Sequence, residues 1–223
     1  MLMSGGLKWS FSGLKDYVNC PKQYHEVKVL RNYTKSVTEQ MRYGTEVHKA
    51  LEDYAALNKP LPKNYQRFKE LMDALAEIPG EHFNEHKMAL DKSKTPCGFD
   101  AAEYWVRGIA DRLVVDGDQG YVIDYKTGSN RYPDTKQLQL MALMMFAHFP
   151  ELNYVKGGLL FVMHDGFVNS EYKREDMVKL WGQFDGNLQR LEDSFLRDSW
   201  PCNPTPLCGW CPVDQCQYHK QRR

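Results

Sequence analysis

Residues 108–128 read Gly108-Ile-Ala-Asp111-Arg-Leu-Val-Val-Asp-Gly-Asp-Gln-Gly-Tyr-Val-Ile-Asp124-Tyr-Lys126-Thr-Gly128. Two runs rich in β-branched residues flank Asp116-Gly117-Asp118, so the stretch predicts an antiparallel hairpin. A turn centred between Gly117 and Asp118 pairs positions that sum to 235, which sets Asp111 opposite Asp124. Side chains opposed in this way have Cβ atoms roughly 5 Å apart, and two carboxylates that close repel unless a cation lies between them. Strand side chains alternate, so Lys126 shares the face of Asp124 while Ile123 and Tyr125 point the other way into packing. One face of the hairpin thus carries two acids and an amine. The bland alternative is a surface hairpin with a fortuitous ion pair.

Working outward, residues 135–149 predict a strongly apolar helix with Gln137 in its first turn, close to where the Lys126 strand delivers the chain. His148 on that helix reads as a satisfied neighbour of the core. Upstream, residues 43–57 predict a helix with Val47, Leu51 and Tyr54 as its apolar stripe. Gly44 and His48 lie one turn apart on a neighbouring face, and a helical glycine costs about 1 kcal/mol relative to alanine. Something there calls for close backbone approach. Further helices are predicted at 13–19, 22–30, 65–78 and 176–198, and further strands at 85–89, 157–164 and 167–173, the last two joined by an Asp165-Gly166 turn. The order predicts an α/β domain with a mixed sheet. Trp9, Phe11, Tyr17 and Tyr24 are either core residues or platforms for base stacking. His82-Phe-Asn-Glu85-His86 matches a zinc-protease pattern, but it follows a Pro-Gly break with no long helix to present it, so it reads as part of a strand.

The 223 residues have zero net charge and are 42% hydrophobic, which suits a globular chain and gives no global electrostatic argument for a nucleic-acid partner. Locally, residues 1–50 hold eight Lys/Arg against four acids, and Lys220, Arg222 and Arg223 follow the last cysteine. No apolar run approaches the ~20 residues of a membrane span, and the N-terminus lacks a signal-peptide pattern. The expectation is a cytoplasmic chain with no membrane partner. Cys97 reads as structural. Cys202, Cys208, Cys211 and Cys216 lie within fifteen residues of a Pro-rich segment, and a reducing compartment argues for metal rather than disulfides. Cys208-x-x-Cys211 with Cys216 leaves a fourth ligand to come from Cys202, His219 or a distant part of the chain.

Hard divalent cations such as Mg²⁺ take oxygen ligands and need only one or two protein carboxylates plus substrate phosphate. Asp111 and Asp124 supply those. His48, brought by its helix, would add a nitrogen that shifts preference toward Mn²⁺. Lys126 would stand beside the attacking water or the phosphoryl oxygen. These are the parts needed for metal-assisted phosphodiester hydrolysis.

The ordered set Gly44-x-x-x-His48, Gly108-Ile-Ala-Asp111, Ile123-Asp124-Tyr125-Lys126-Thr-Gly and Gln137-Leu-x-Leu resembles the PD-(D/E)XK nuclease superfamily. Within it the chain is most similar to the RecB-type branch of AddB-like, CRISPR-associated and phage exonucleases. The resemblance implies a restriction-endonuclease-like mixed β-sheet core flanked by helices, and a DNA exonuclease using Mg²⁺ or Mn²⁺. It makes Lys126, Asp111, Asp124 and Gln137 catalytic and places His48, Asp111, Asp124 and Tyr125 in the metal-binding set. The family's glutamine is commonly followed four residues later by tyrosine, and Met141 stands there. Iron–sulfur members of the branch imply a four-iron cluster (4Fe-4S) on Cys20, Cys208, Cys211 and Cys216, with zinc as the alternative and Cys202 as the spare thiol. Such a cluster would join an N-terminal arm at 1–42 to a cysteine-rich segment at 199–223, around a nuclease core at 43–198, as a cysteine-stapled subdomain. The implied partner is DNA, single-stranded or with free ends, in recombination, replication or repair. No Gly-x-x-x-x-Gly-Lys-Ser/Thr occurs, so unwinding would need a helicase or recombination partner. The rival reading is a non-catalytic DNA-binding module on the same fold.

Overall fold

The computed structural model describes residues 6–128, 131, 133–163 and 166–219. The hairpin forms in the register set by its turn. β2 (Val106–Asp116) and β3 (Gln119–Lys126) are antiparallel, with Asp116 opposite Gln119 and Arg112 opposite Ile123. Gly117 takes the turn at φ +58°, a conformation open to glycine without steric cost.

β1 (Glu81–Leu90) adds antiparallel to β2, β4 (Tyr154–Phe161) adds parallel to β3, and β5 (Gly166–Lys173) adds antiparallel to β4. The result is an α/β fold whose mixed five-stranded sheet has the order β1-β2-β3-β4-β5. The single parallel pair requires a crossover, and α5 (Lys136–His148) provides it. This helix is buried from Leu138 to Phe146, so its low amphipathicity matches its place in the core. Gly108 admits it: a Cβ there would lie 2.4 Å from Met141 Cε. Met141 is accordingly a packing residue, and His148 is satisfied by Ala89 O at 3.1 Å.

A second core forms where Val47 and Leu51 of α3 (Glu39–Leu57) meet Leu61, Tyr65, Phe68, Met72, Ile123, Tyr125, Leu160 and Val162. Thr38 caps α3 by accepting from Met41 N–H at 3.2 Å, and Asn58 ends it in the left-handed region at φ +52°. The expected helix at 65–78 is instead a 3-10 turn (Lys63–Phe68) followed by α4 (Lys69–Ala76). β1 starts directly after Gly80, earlier than expected. β4 also starts early, because Asp118 O accepts from Asn153 N–H and Tyr154 N–H. β2 begins at Val106, after residues 98–104 form successive turns.

The chain divides into two compact units, Thr38–Trp181 and Met1–Val37 with Gly182–Arg223. The sheet lies wholly in the first. One boundary falls inside α6 (Met177–Arg197). In the second unit, Ser10 caps α1 (Phe11–Asn19) through Gly13 N–H at 3.2 Å. The next segment is α2 (Pro21–Tyr24) and a π turn (His25–Val29), not one regular helix. Trp9, Tyr17 and Tyr24 are buried, Trp9 against Phe184 and the two tyrosines beside Trp200, so none is a stacking platform for bases. Among the described residues no helix is long and apolar enough to cross a membrane. The loose end at 1–5, parts of the 129–134 loop, Asp165 of the predicted turn and the tail residues Lys220, Arg222 and Arg223 lie outside the described residues.

Candidate active site

The backbone ladder between β2 and β3 stops at Arg112 and Ile123, one residue short of the two acids. There Asp111 Oδ2 accepts from the Tyr125 N–H at 2.7 Å, so a carboxylate replaces the next ladder bond. His48 Nδ1 lies 3.5 Å from the same oxygen, and its hydrogen bond to Asp111 raises the His48 pKa above its ordinary value against the opposing effect of burial. Gly44, one turn earlier on α3, makes this approach possible. A Cβ at that position would lie 2.9 Å from Thr127 Oγ1, directly after Lys126.

Asp124, Lys126 and Gln137 form a closed set. Lys126 Nζ is 2.5 Å from Asp124 Oδ2 and donates to Gln137 Oε1 at 2.9 Å, while Gln137 Nε2 donates to Asp124 Oδ1 at 2.6 Å. Gln137 reaches this set from the first turn of the α5 crossover. Asp124 is only 6% exposed. Burial pushes its carboxyl up to about 6, and the negative charge of Asp111 adds to this, while the Lys126 ammonium acts in the opposite sense. A buried carboxylate held this far up has less counter-charge than its surroundings demand.

The five expected polar residues are therefore placed in two linked groups, His48 with Asp111 and Asp124 with Lys126 and Gln137. Tyr125 differs. Its side chain is buried in the α3-side core with its ring edge-on to His48 at 6.0 Å, and burial raises the pKa of its phenol, so only its main chain is left to face the acids. Among the described residues, no three His, Cys, Asp or Glu side chains are gathered so as to hold a metal ion. By donor type the set nevertheless fits a hard divalent cation: two carboxylates, one imidazole, and a buried Asp124 oxygen ion-paired to Lys126.

Two residues of this cleft lie outside the site expected from the sequence. Glu52 and Glu85 line it together with Gly44, His48, Asp111, Thr127 and Gly128. Burial raises the pKa of Glu85, the charges of Asp111 and Glu52 raise it further, and His48 and Lys49 oppose them. Only the β1 register, absent from any local motif, would have located it. The protease-like pattern itself comes apart: His82 bonds Ile78 O and Arg112, and His86 packs on Phe83 and Phe149.

In the other unit, Cys20, Cys202, Cys208, Cys211, Cys216 and His219 line one cavity. All the cysteines are free thiols. Cys208 Sγ accepts from Thr205 N–H at 3.3 Å and Cys211 Sγ from Gln23 Nε2 at 3.4 Å. Cys202, the spare of the expected set, has its Sγ 3.7 Å from Cys216 Sγ, and burial pushes its thiol up to about 11. The Cys20 segment meets the C-terminal one through Lys22 N–H on Pro201 O at 3.2 Å and Asn203 Nδ2 on Asn19 O at 2.9 Å. The donor chemistry, soft sulfurs with N–H groups aimed at two of them, fits a thiolate-ligated metal group.

No curated protein matches the sequence. A crystal structure of a protein called SSO0001 is 12% identical, covering 97% of this chain and 89% of the other at a TM-score of 0.43. A crystal structure from Eubacterium rectale, named "Putative exonuclease", is 11% identical, covering 97% of this chain and 88% of that one at a TM-score of 0.52, a likeness of fold. The family model of the PD-(D/E)XK nuclease superfamily matches residues 8–217, and the chain belongs to that superfamily.

Proposed function

We propose that this protein is a divalent-metal-dependent DNA exonuclease of the RecB-type branch, hydrolysing phosphodiester bonds at single-stranded or free DNA ends. The observation that supports it most is the closed set of Asp124, Lys126 and Gln137 beside the Asp111–His48 pair. Lysine has three N–H donors. Two are taken by Asp124 and Gln137, which leaves the third for the attacking water or the phosphoryl oxygen, where the ammonium offsets developing negative charge. Gln137 holds both ends of this arrangement by accepting from the amine and donating to the acid. Asp111 is fixed by the Tyr125 N–H and by His48, so its carboxylate is oriented before substrate arrives. His48, Asp111, Asp124 and the main chain of Tyr125 would hold Mg²⁺ or Mn²⁺. A bound cation supplies Lewis-acid polarisation of the scissile phosphoryl group.

In the same reading, Cys20, Cys208, Cys211 and Cys216 ligate a four-iron cluster, with zinc as the competing occupant, and a helicase or recombination protein supplies any unwinding. Cleavage of end-labelled single- and double-stranded DNA in Mg²⁺ and Mn²⁺ tests the assignment. Loss of cleavage on chelation, restored by either ion, supports it. Cleavage unaffected by chelator contradicts it, and binding without cleavage by the wild type would favour a non-catalytic DNA-binding module.

A further inference from the structure

Glu85 departs from the strand that contains it. The β1 ladder sets Asn84 opposite Arg112 and His86 opposite Ala110, which leaves Glu85 across from Asp111. Its φ is +46°, a left-handed value within a strand, and a residue with a Cβ adopts that region at a cost. Such strain persists only where the surroundings hold it, and it gathers at functional sites. β1 is an edge strand, so the distortion disturbs one neighbour only.

The carboxylate lines the cleft with His48, Glu52 and Asp111 and has no hydrogen bond or ion pair among the described residues. The nearby amine, Lys49, is engaged by Glu52 at 3.0 Å and Asp53 at 2.9 Å. Glu85 thus faces another carboxylate across a strand pair with no counter-charge bonded to it. A hydrated surface acid would relieve this by turning to solvent, yet this one is half-buried at a strained backbone position.

We propose that Glu85 is a further ligand of the divalent cation held by Asp111 and His48. The inference rests on the cation reading given above, and it adds a donor from β1 that none of the nuclease motifs contains. A cation between Glu85 and Asp111 cancels their repulsion and gives the strained conformation its purpose.

The test is Mn²⁺ binding followed by electron paramagnetic resonance without DNA, in wild type, Asp111→Asn, Glu85→Gln and Glu85→Gly, with thermal melts of the metal-free proteins. Asp111→Asn and Glu85→Gln are expected to bind at least about tenfold more weakly than wild type. Glu85→Gly is expected to lose the same affinity while its metal-free Tm rises, because glycine takes a positive φ without strain. If Asp111→Asn loses affinity while both Glu85 variants keep it within about twofold, the inference is overturned and the cation reading stands. If wild type binds no Mn²⁺, or Asp111→Asn binds as wild type does, the cation reading falls and the inference falls with it.

Discussion

The electrostatics of Asp124 set a trade between stability and function at one residue. Its folded pKa of about 6 lies above the ordinary carboxylate value of 3.8, with burial the main cause. The folded state therefore binds more protons than the unfolded state between those values, and stability of the metal-free protein falls as pH rises through that window. A shift of this size costs up to about 3 kcal/mol once the group is fully ionised. His48, whose folded pKa is also raised, contributes in the same direction: its stabilisation is present below the unfolded value of 6.5 and is lost as pH rises through the folded one. Two outcomes follow for Asp124→Asn. In denaturant titrations without metal it should be more stable than wild type at pH 7 by about 1–3 kcal/mol, with the decline between pH 4 and 6 flattened. In cleavage assays it should be inactive. Saturating Mn²⁺ should stabilise wild type but not the variant, by the usual linkage of ligand binding to folding.

At the scale of elements, the site exists because the middle of α3, the open end of the hairpin ladder and the first turn of α5 supply its side chains. Gly44 lets α3 approach the chain after Lys126, with Thr127 Oγ1 2.9 Å from where a Cβ would sit. Gly44→Ala gains about 1 kcal/mol of helix propensity but displaces Thr127 or α3. The expected result is a Tm near that of wild type with cleavage reduced about tenfold or more. Adding Thr127→Ala removes the hydroxyl and should restore much of the rate. Failure of the double variant to recover would mean that Gly44 serves another purpose. The hairpin register, α5 and the Gly44–His48 spacing were legible in the sequence because each follows from a local period or turn. β1 was less legible: its start is set by Gly80, and its pairing with β2 depends on contacts about 30 residues away. Glu85 stayed hidden for that reason. The π turn after Tyr24 and the 3-10 turn before α4 were also invisible, since both arise from packing rather than from residue pattern.

Across the whole molecule, two chemistries occupy two units, a carboxylate–lysine cleft in one and a thiol-lined cavity in the other. The clustering of Cys208, Cys211 and Cys216 was plain from spacing. The inclusion of Cys202 was not, because no spacing rule separates a ligand from a neighbouring thiol. With the proposed cluster, anaerobic preparations are expected to be brown and to contain iron and acid-labile sulfide, and Cys20→Ser to abolish both; a colourless anaerobic protein with stoichiometric zinc would replace the cluster by a zinc site. The nuclease assignment rests on the other unit. Its most direct test measures cleavage of end-labelled DNA in Mn²⁺ by wild type, Asp124→Ala and Lys126→Ala, with folding of each variant checked by circular dichroism. Cleavage by wild type and a loss of at least about 10²-fold in both folded variants are expected; wild-type rates in either variant would contradict the assignment.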